Sequence, residues 1–125
     1  MYRSATPNAY RESAVLTASP VQLVVMLYDG ANRFLKQASV LYDQGDQIEA
    51  GQRLGRAQAI VEELLATLDL ERGGDVAPRL QGIYVYCLRE MSTARVEKSS
   101  ARLAEVAGHL AELRESWAEL AARQG

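Results

Sequence analysis

From Pro20 onward the apolar residues of this chain recur by threes and fours; before it they do not. Val24, Leu27, Tyr28, Ala31, Phe34, Leu35, Ala38 and Leu41 make the first series, and that spacing lays them on one face of a helix from Pro20 to about Tyr42. Its start carries three signals: Ser19 as N-cap, Pro20 at the first helical position, and Gln22 three residues after the cap, whose side chain can reach back. Gly45 can take the left-handed conformation that ends a helix, and Asp46 with Glu49 repeats the capping pattern for a second one. So short a connection predicts antiparallel neighbours.

The second helix is expected from about Gln47 to Leu70, with Leu54, Ala57, Val61, Leu64, Leu65 and Leu68 inward and Arg53, Arg56, Glu62 and Glu63 outward. It stops at Gly73-Gly74, which reads as a flexible turn. Asp75 is placed to cap a third helix, where Pro78 falls in the first turn and its missing N–H leaves no bond unmade. Leu80, Ile83, Tyr84, Cys87, Leu88 and Met91 supply its apolar stripe. The polar run 92–100 separates it from a fourth helix, capped by Ser99 or Ser100, in which Leu103, Val106, Leu110, Leu113, Trp117 and Leu120 form a heptad-type seam. Four amphipathic helices without a strand pattern predict an all-α fold, an antiparallel four-helix bundle in which each helix buries one stripe. Residues 1–19 lack periodicity and read as an extended N-terminal arm, with room for a short extra helix; residues 20–125 read as a single helical domain.

At 125 residues the chain suffices for one ordinary domain and not for two. Fourteen basic against 16 acidic residues, a net charge of −2, leave no cationic excess to neutralise several phosphates, which disfavours nucleic acid as the partner. One cysteine cannot form an internal disulfide, so a reducing, cytoplasmic setting is expected. No apolar stretch follows the N-terminal charge and no run of about 20 apolar residues occurs, so neither export nor membrane insertion is signalled.

Candidate chemistry is thin. A di-iron site in a bundle needs two Glu-x-x-His pairs, and this chain has one histidine, His109, on the polar side of its helix with Glu105 and Glu112. Cys87 shares a face with Tyr84 and Met91 and reads as a small buried hydrophobe without a base beside it. Glu62-Glu63, Asp43, Asp46 and Asp69 read as solvated or capping carboxylates, since adjacent positions on a helix do not share a face. Gly73-Gly74 lacks the strand and the Gly-Lys-Ser/Thr of a phosphate loop. No catalytic residue, metal or cofactor is therefore assigned, and the chain is not expected to be an enzyme. Gly51 and Gly55, one turn apart, are either a weak first turn or a smooth strip against which another helix lies.

The informative feature is an apolar surplus. Leu23, Val25 and Met26 in the first helix, and Val76, Val85 and Tyr86 in the third, exceed what one bundle seam uses. Three occupants can cover them: the chain's own arm through Tyr10, Val15 and Leu16, a second copy of the chain, or a foreign amphipathic segment. Six tyrosines against one phenylalanine suit surfaces that alternate between wet and buried. Tyr28 and Tyr84 sit on seams and read as core residues with the hydroxyl at the edge; Tyr10 and Tyr86 fit an exchangeable surface.

The order of motifs resembles the flagellar secretion chaperone FliS family. The resemblance spans nearly the whole chain: Tyr10 before Val15-Leu16-Thr17-Ala18-Ser19-Pro20; Leu23-x-x-Met26-Leu27-Tyr28-Asp29-Gly30-Ala31; Ala57-Gln58-x-Ile60-x-x-Glu63-Leu64; Gly73-Gly74-x-x-Ala77-x-x-Leu80 leading to Tyr84-x-Tyr86; and Leu103-x-x-Val106 leading to Leu113-Arg114-x-x-Trp117. The family pattern often has an acidic residue and a methionine where this chain has Val85 and Cys87, and Ala-Asn where it has Ala94-Arg95. The resemblance implies a cytoplasmic export chaperone that binds the C-terminal, polymerisation-prone segment of flagellin, prevents premature assembly and keeps the client competent for flagellar type III secretion, its partners being flagellin and the flagellar export machinery. It also implies that the arm covers part of the client surface in the free protein, expected to be a monomer or weak dimer. The residues assigned to partner binding are Tyr10, Val15, Leu16, Leu23, Met26, Gly51, Gly55, Val85 and Tyr86. The competing reading is a homo-oligomeric helical scaffold, or a regulatory adaptor for another amphipathic helix, for which the heptad seam speaks.

Overall fold

The computed structural model describes residues 17–124, and within them the chain forms four helices and no strand. They are α1 (Pro20–Asp43), α2 (Gln47–Ala66), α3 (Val76–Glu97) and α4 (Ser100–Gln124). Each packs chiefly on the helix before and after it, and α4 returns to α1, which closes a square. Cross-helix pairs fix the antiparallel directions. Arg53 early in α2 donates to Gln37 late in α1, Arg95 late in α3 reaches Gly51 early in α2, and Arg114 late in α4 meets Asp29 early in α1. The expected bundle is the observed one.

Local chemistry sets the helix ends. At the head of α1, Ser19 Oγ accepts from Gln22 N at 3.2 Å while Gln22 Oε1 accepts from Ser19 N at 2.8 Å, so two backbone N–H groups that the helix leaves open are satisfied reciprocally. Gly45 takes φ +83° in the turn to α2, a conformation cheap only without a Cβ. The box expected at Asp46 forms by half: Asp46 Oδ1 accepts from Glu49 N, but the Glu49 carboxylate pairs with Arg53 instead. Ser99 caps α4, accepting from Arg102 N at 3.2 Å.

Two boundaries and one cap differ from expectation. α2 ends at Ala66, four residues before the expected Leu70, because Thr67 turns its hydroxyl onto Leu64 O and the Asp69 carboxylate collects Glu71 N and Arg72 N into a turn. α3 continues through the polar run to Glu97, since Ala94 extends the buried row of Tyr84, Cys87 and Met91 by one more step while the polar residues around it face out. Asp75 stands at the N-cap of α3 but makes no side-chain cap bond.

Gly73 is a close-packing position, not the flexible turn its sequence suggested. A Cβ there would lie 2.5 Å from Ala77 Cβ and 2.7 Å from Asp69 O, neither of which can swing away. Gly73→Ala is expected to lower stability by about 1–3 kcal/mol through overpacking. Gly82→Ala, on an α3 face with nothing within 4 Å, is expected to raise it by about 0.5–1 kcal/mol. Thermal unfolding followed by circular dichroism reads both, and equal shifts would contradict the packing at Gly73.

The core runs down the axis of the square. Tyr28, Leu35, Leu54, Val61, Tyr84, Cys87, Met91, Leu103, Val106 and Leu110 are fully or almost fully buried, with Ala31, Ala38, Ala50, Ala57 and Ala94 filling between them. Among the described residues no charged residue lies in this core.

Candidate partner-binding surface

The first turns of α1 carry apolar residues on more than one face. Val24, Leu27 and Tyr28 turn into the bundle, while Val25 and Met26 form one wall of a groove whose other wall is Ala118 and Ala121 of α4. Thr17 and Ala18 stand at its mouth, and it encloses about 430 Å³. Leu23, 37% exposed, is not among the residues that line it. Short alanines on α4 hold the groove open, since a longer side chain there would fill it. The far end is closed by a fork: Arg114 Nε and Nη2 donate to the two Asp29 carboxylate oxygens at 2.9 and 3.4 Å. Hydrogen bonding and charge from Asp29 push the Arg114 guanidinium still higher above its ordinary pKa.

A second apolar cavity of about 240 Å³ opens at the same end of the bundle, between Val24, Leu64, Leu68, Val76, Leu80 and Trp117. Tyr84 lines it too, and behind it the Tyr28 and Tyr84 hydroxyls share a hydrogen bond while Trp117 Nε1 donates to the Tyr28 oxygen at 3.2 Å. The two tyrosines are core residues as expected, but their hydroxyls are buried with the rings and satisfied by each other instead of reaching the edge. Burial raises the pKa of both, in Tyr84 well beyond the ordinary phenol range.

On the opposite face of α3, Tyr86 is 45% exposed and stands edge-on to His109, ring centroids 5.7 Å apart. Arg79, Ile83, Glu112 and Leu113 complete this groove between α3 and α4. Val85, 40% exposed, is one position before Tyr86 and so about 100° around the helix, outside this groove. Gly51 and Gly55 form a smooth strip, but what lies over it is the chain's own Arg95: Nη1 donates to Gly51 O at 3.1 Å and Nη2 to Gln58 Oε1 at 2.6 Å. Tyr10, Val15 and Leu16 fall outside the described residues.

Cys87 is fully buried, and burial, with a smaller contribution from Glu90, pushes its thiol up to about 11. Among the described residues no group of three or more His, Cys, Asp or Glu could hold a metal ion, and no helix is long and apolar enough to cross a membrane. The seam of α4 is spent inside the bundle as far as Trp117, since Leu103, Val106 and Leu110 are buried and Leu113 and Trp117 pack on the core, whereas Leu120, expected to continue it, is 37% exposed because α4 there runs past the end of the core. The fork of Asp29 with Arg114 and the bond from Trp117 to Tyr28 were not read from sequence. Their partners lie 85 and 89 residues apart, and only the antiparallel register of α1 and α4 brings them together. Ala118 and Ala121 also went unread; their signal was a pair of small residues three apart beside the seam.

Four antiparallel helices with apolar grooves between them define an all-α helical bundle. The chain belongs to the FliS family: residues 2–124 match the family described as flagellar protein FliS. A protein of Salmonella typhimurium named flagellar secretion chaperone FliS is 37% identical, over 98% of this chain and 95% of its own length. The protein of that name in Campylobacter jejuni is 35% identical, over 90% of this chain and 88% of its own. A solved structure titled as a flagellar chaperone from bacteria superposes with a TM-score of 0.78 over 93% of this chain and 97% of that one; at 16% identity it speaks for the fold.

Proposed function

We propose that this chain is a cytoplasmic export chaperone that seats the C-terminal segment of flagellin in its apolar grooves, so that the client neither polymerises early nor loses its fitness for flagellar secretion. The observation that carries this reading is the groove of Val25 and Met26 against Ala118 and Ala121, an apolar channel left open among the described residues of a chain whose relatives are named flagellar secretion chaperones. A disordered segment that folds on binding covers several such grooves at once, and the ordering entropy it loses keeps the complex releasable. Residues 1–19 act as an arm whose Tyr10, Val15 and Leu16 shield the channel when no client is present. Leu23 on α1 and Val85 and Tyr86 on α3 extend the contact, with Gly51 and Gly55 reached once Arg95 moves aside.

Size-exclusion chromatography with light scattering, on the protein alone and with the C-terminal segment of a flagellin from the same source, tests this. A one-to-one complex is expected with that segment and none with flagellin lacking it. Met26→Glu is expected to weaken the complex by more than about tenfold, because the carboxylate is desolvated without a partner. Tyr10→Ala with Leu16→Ala is expected to tighten it by removing the competing arm. A stable dimer indifferent to flagellin would overturn the proposal and favour a homo-oligomeric scaffold.

A further inference from the structure

On the outer seam of α1 and α2 four cations gather, although the chain as a whole is net acidic: Arg33 and Lys36 from α1, Arg53 and Arg56 from α2. Arg53 is neutralised by Glu49 at 3.0 Å. Arg33, Lys36 and Arg56 have no ion-pair partner among the described residues, whereas Arg102 and Arg114 each hold two carboxylates. The two free guanidiniums are also fixed in place. Arg33 lies 5.9 Å and Arg56 5.7 Å from the centroid of the same Phe34 ring, one from each helix, so cation–π attraction holds them beside each other with their N–H edges unused. Like charges brought together repel, and among the described residues no carboxylate pairs with Arg33, Lys36 or Arg56 to offset this.

Beside them the seam is apolar. Val40, 47% exposed, and Leu41 line an open groove of about 520 Å³ together with Arg33, Lys36, Gln37 and Arg53. From Phe34 to Leu41 is two turns of helix, about 10 Å. A short apolar floor rimmed by preorganised cations complements a helix with one apolar stripe and carboxylates on both flanks. Three unpaired cations over an apolar floor are few and poorly arranged for tracking a phosphate backbone.

We propose that the outer seam of α1 and α2 docks an acidic amphipathic helix of a partner protein, its apolar stripe on Val40 and Leu41 and its carboxylates on Arg33, Lys36 and Arg56. The seam lies apart from the groove between α1 and α4 and from that between α3 and α4, so this partner and a client on those faces bind together.

Fluorescence anisotropy with the full chain tests it, using a labelled helical peptide with glutamates at i, i+4 spacing flanking a leucine stripe. Saturable binding is expected, and it should weaken at least about tenfold in Arg33→Glu with Arg56→Glu, both exposed positions whose exchange leaves the helical circular dichroism unchanged. Binding should also weaken as salt rises from about 0.01 to 0.15 M, where the screening length falls from about 30 to 8 Å. Arg89→Glu with Lys98→Glu, exposed cations of α3 and its C-cap that have no ion-pair partner among the described residues, should leave the affinity unchanged. The proposal is overturned if the glutamine version of the peptide binds as well, if both charge reversals act alike, or if a DNA duplex or anionic vesicles bind this seam more tightly than the peptide.

Discussion

Tyr84→Ala is expected to destabilise the bundle by about 3–5 kcal/mol, a large share of the roughly 5–15 kcal/mol that holds a domain of this kind together. The ring is 2% exposed and packed among α1, α3 and α4, so its removal leaves a cavity that opens toward the apolar pocket below Trp117. Tyr84→Phe keeps the ring and removes only the hydroxyl; its expected cost is about 1–3 kcal/mol, because the Tyr28 hydroxyl then keeps the Trp117 donor but loses its buried hydroxyl partner. Urea unfolding followed at the Trp117 indole separates the two effects. If phenylalanine proved as costly as alanine, the ring packing would carry none of the energy assigned to it.

The second large effect is with pH. Cys87 and the two buried tyrosines have folded-state pKa values above their ordinary ones of 9.0 and 10.0, chiefly because burial opposes the anion. Below about pH 9 both folded and unfolded chains keep these protons, and the contribution is fully present. As pH rises further the unfolded chain gives up protons that the folded chain retains, so stability falls. For the thiol, the decline runs from 9.0 to about 11 and amounts to roughly 2–3 kcal/mol, with the tyrosines steepening it from pH 10 upward. Urea midpoints measured at steps between about pH 8 and 11 should therefore drop, and Cys87→Ala should flatten the part below pH 10. An unchanged slope in that variant would show that the thiol titrates at its ordinary value.

Helix number, direction and inward stripes were legible in the spacing of apolar residues, because a helix that buries one face must repeat at that period. The Ser19 box and the Gly45 turn were legible because their chemistry is local, closed within three residues. The end of α2 was not: Leu68 and Leu70 continue the apolar pattern, yet the Asp69 carboxylate binds two backbone N–H groups and turns the chain. The site divides in the same way. Leu23, Met26, Val85 and Tyr86 stood out as apolar residues in excess of the seam, and a surplus can be counted in one dimension. What faces them could not be counted, since Ala118 and Ala121 meet Met26 only through the register of α1 against α4. Arg95 over the Gly51 and Gly55 strip is the same case, a contact across 44 residues that replaces the neighbouring helix the glycines alone suggested.

The square arrangement has a consequence for how the bundle gives way. α1 shares broad contacts with both α2 and α4, whereas α3 meets α2 and α4 through much thinner ones. α1 is thus the central support of the bundle, and α3 closes the square on the side away from it. α3 is also the helix that shows Val76, Val85 and Tyr86 to the outside. The helix that shows the most large apolar residues is thus also the one packed most thinly, so local opening of the bundle is expected to begin there, and its amides to exchange before those of the other three helices.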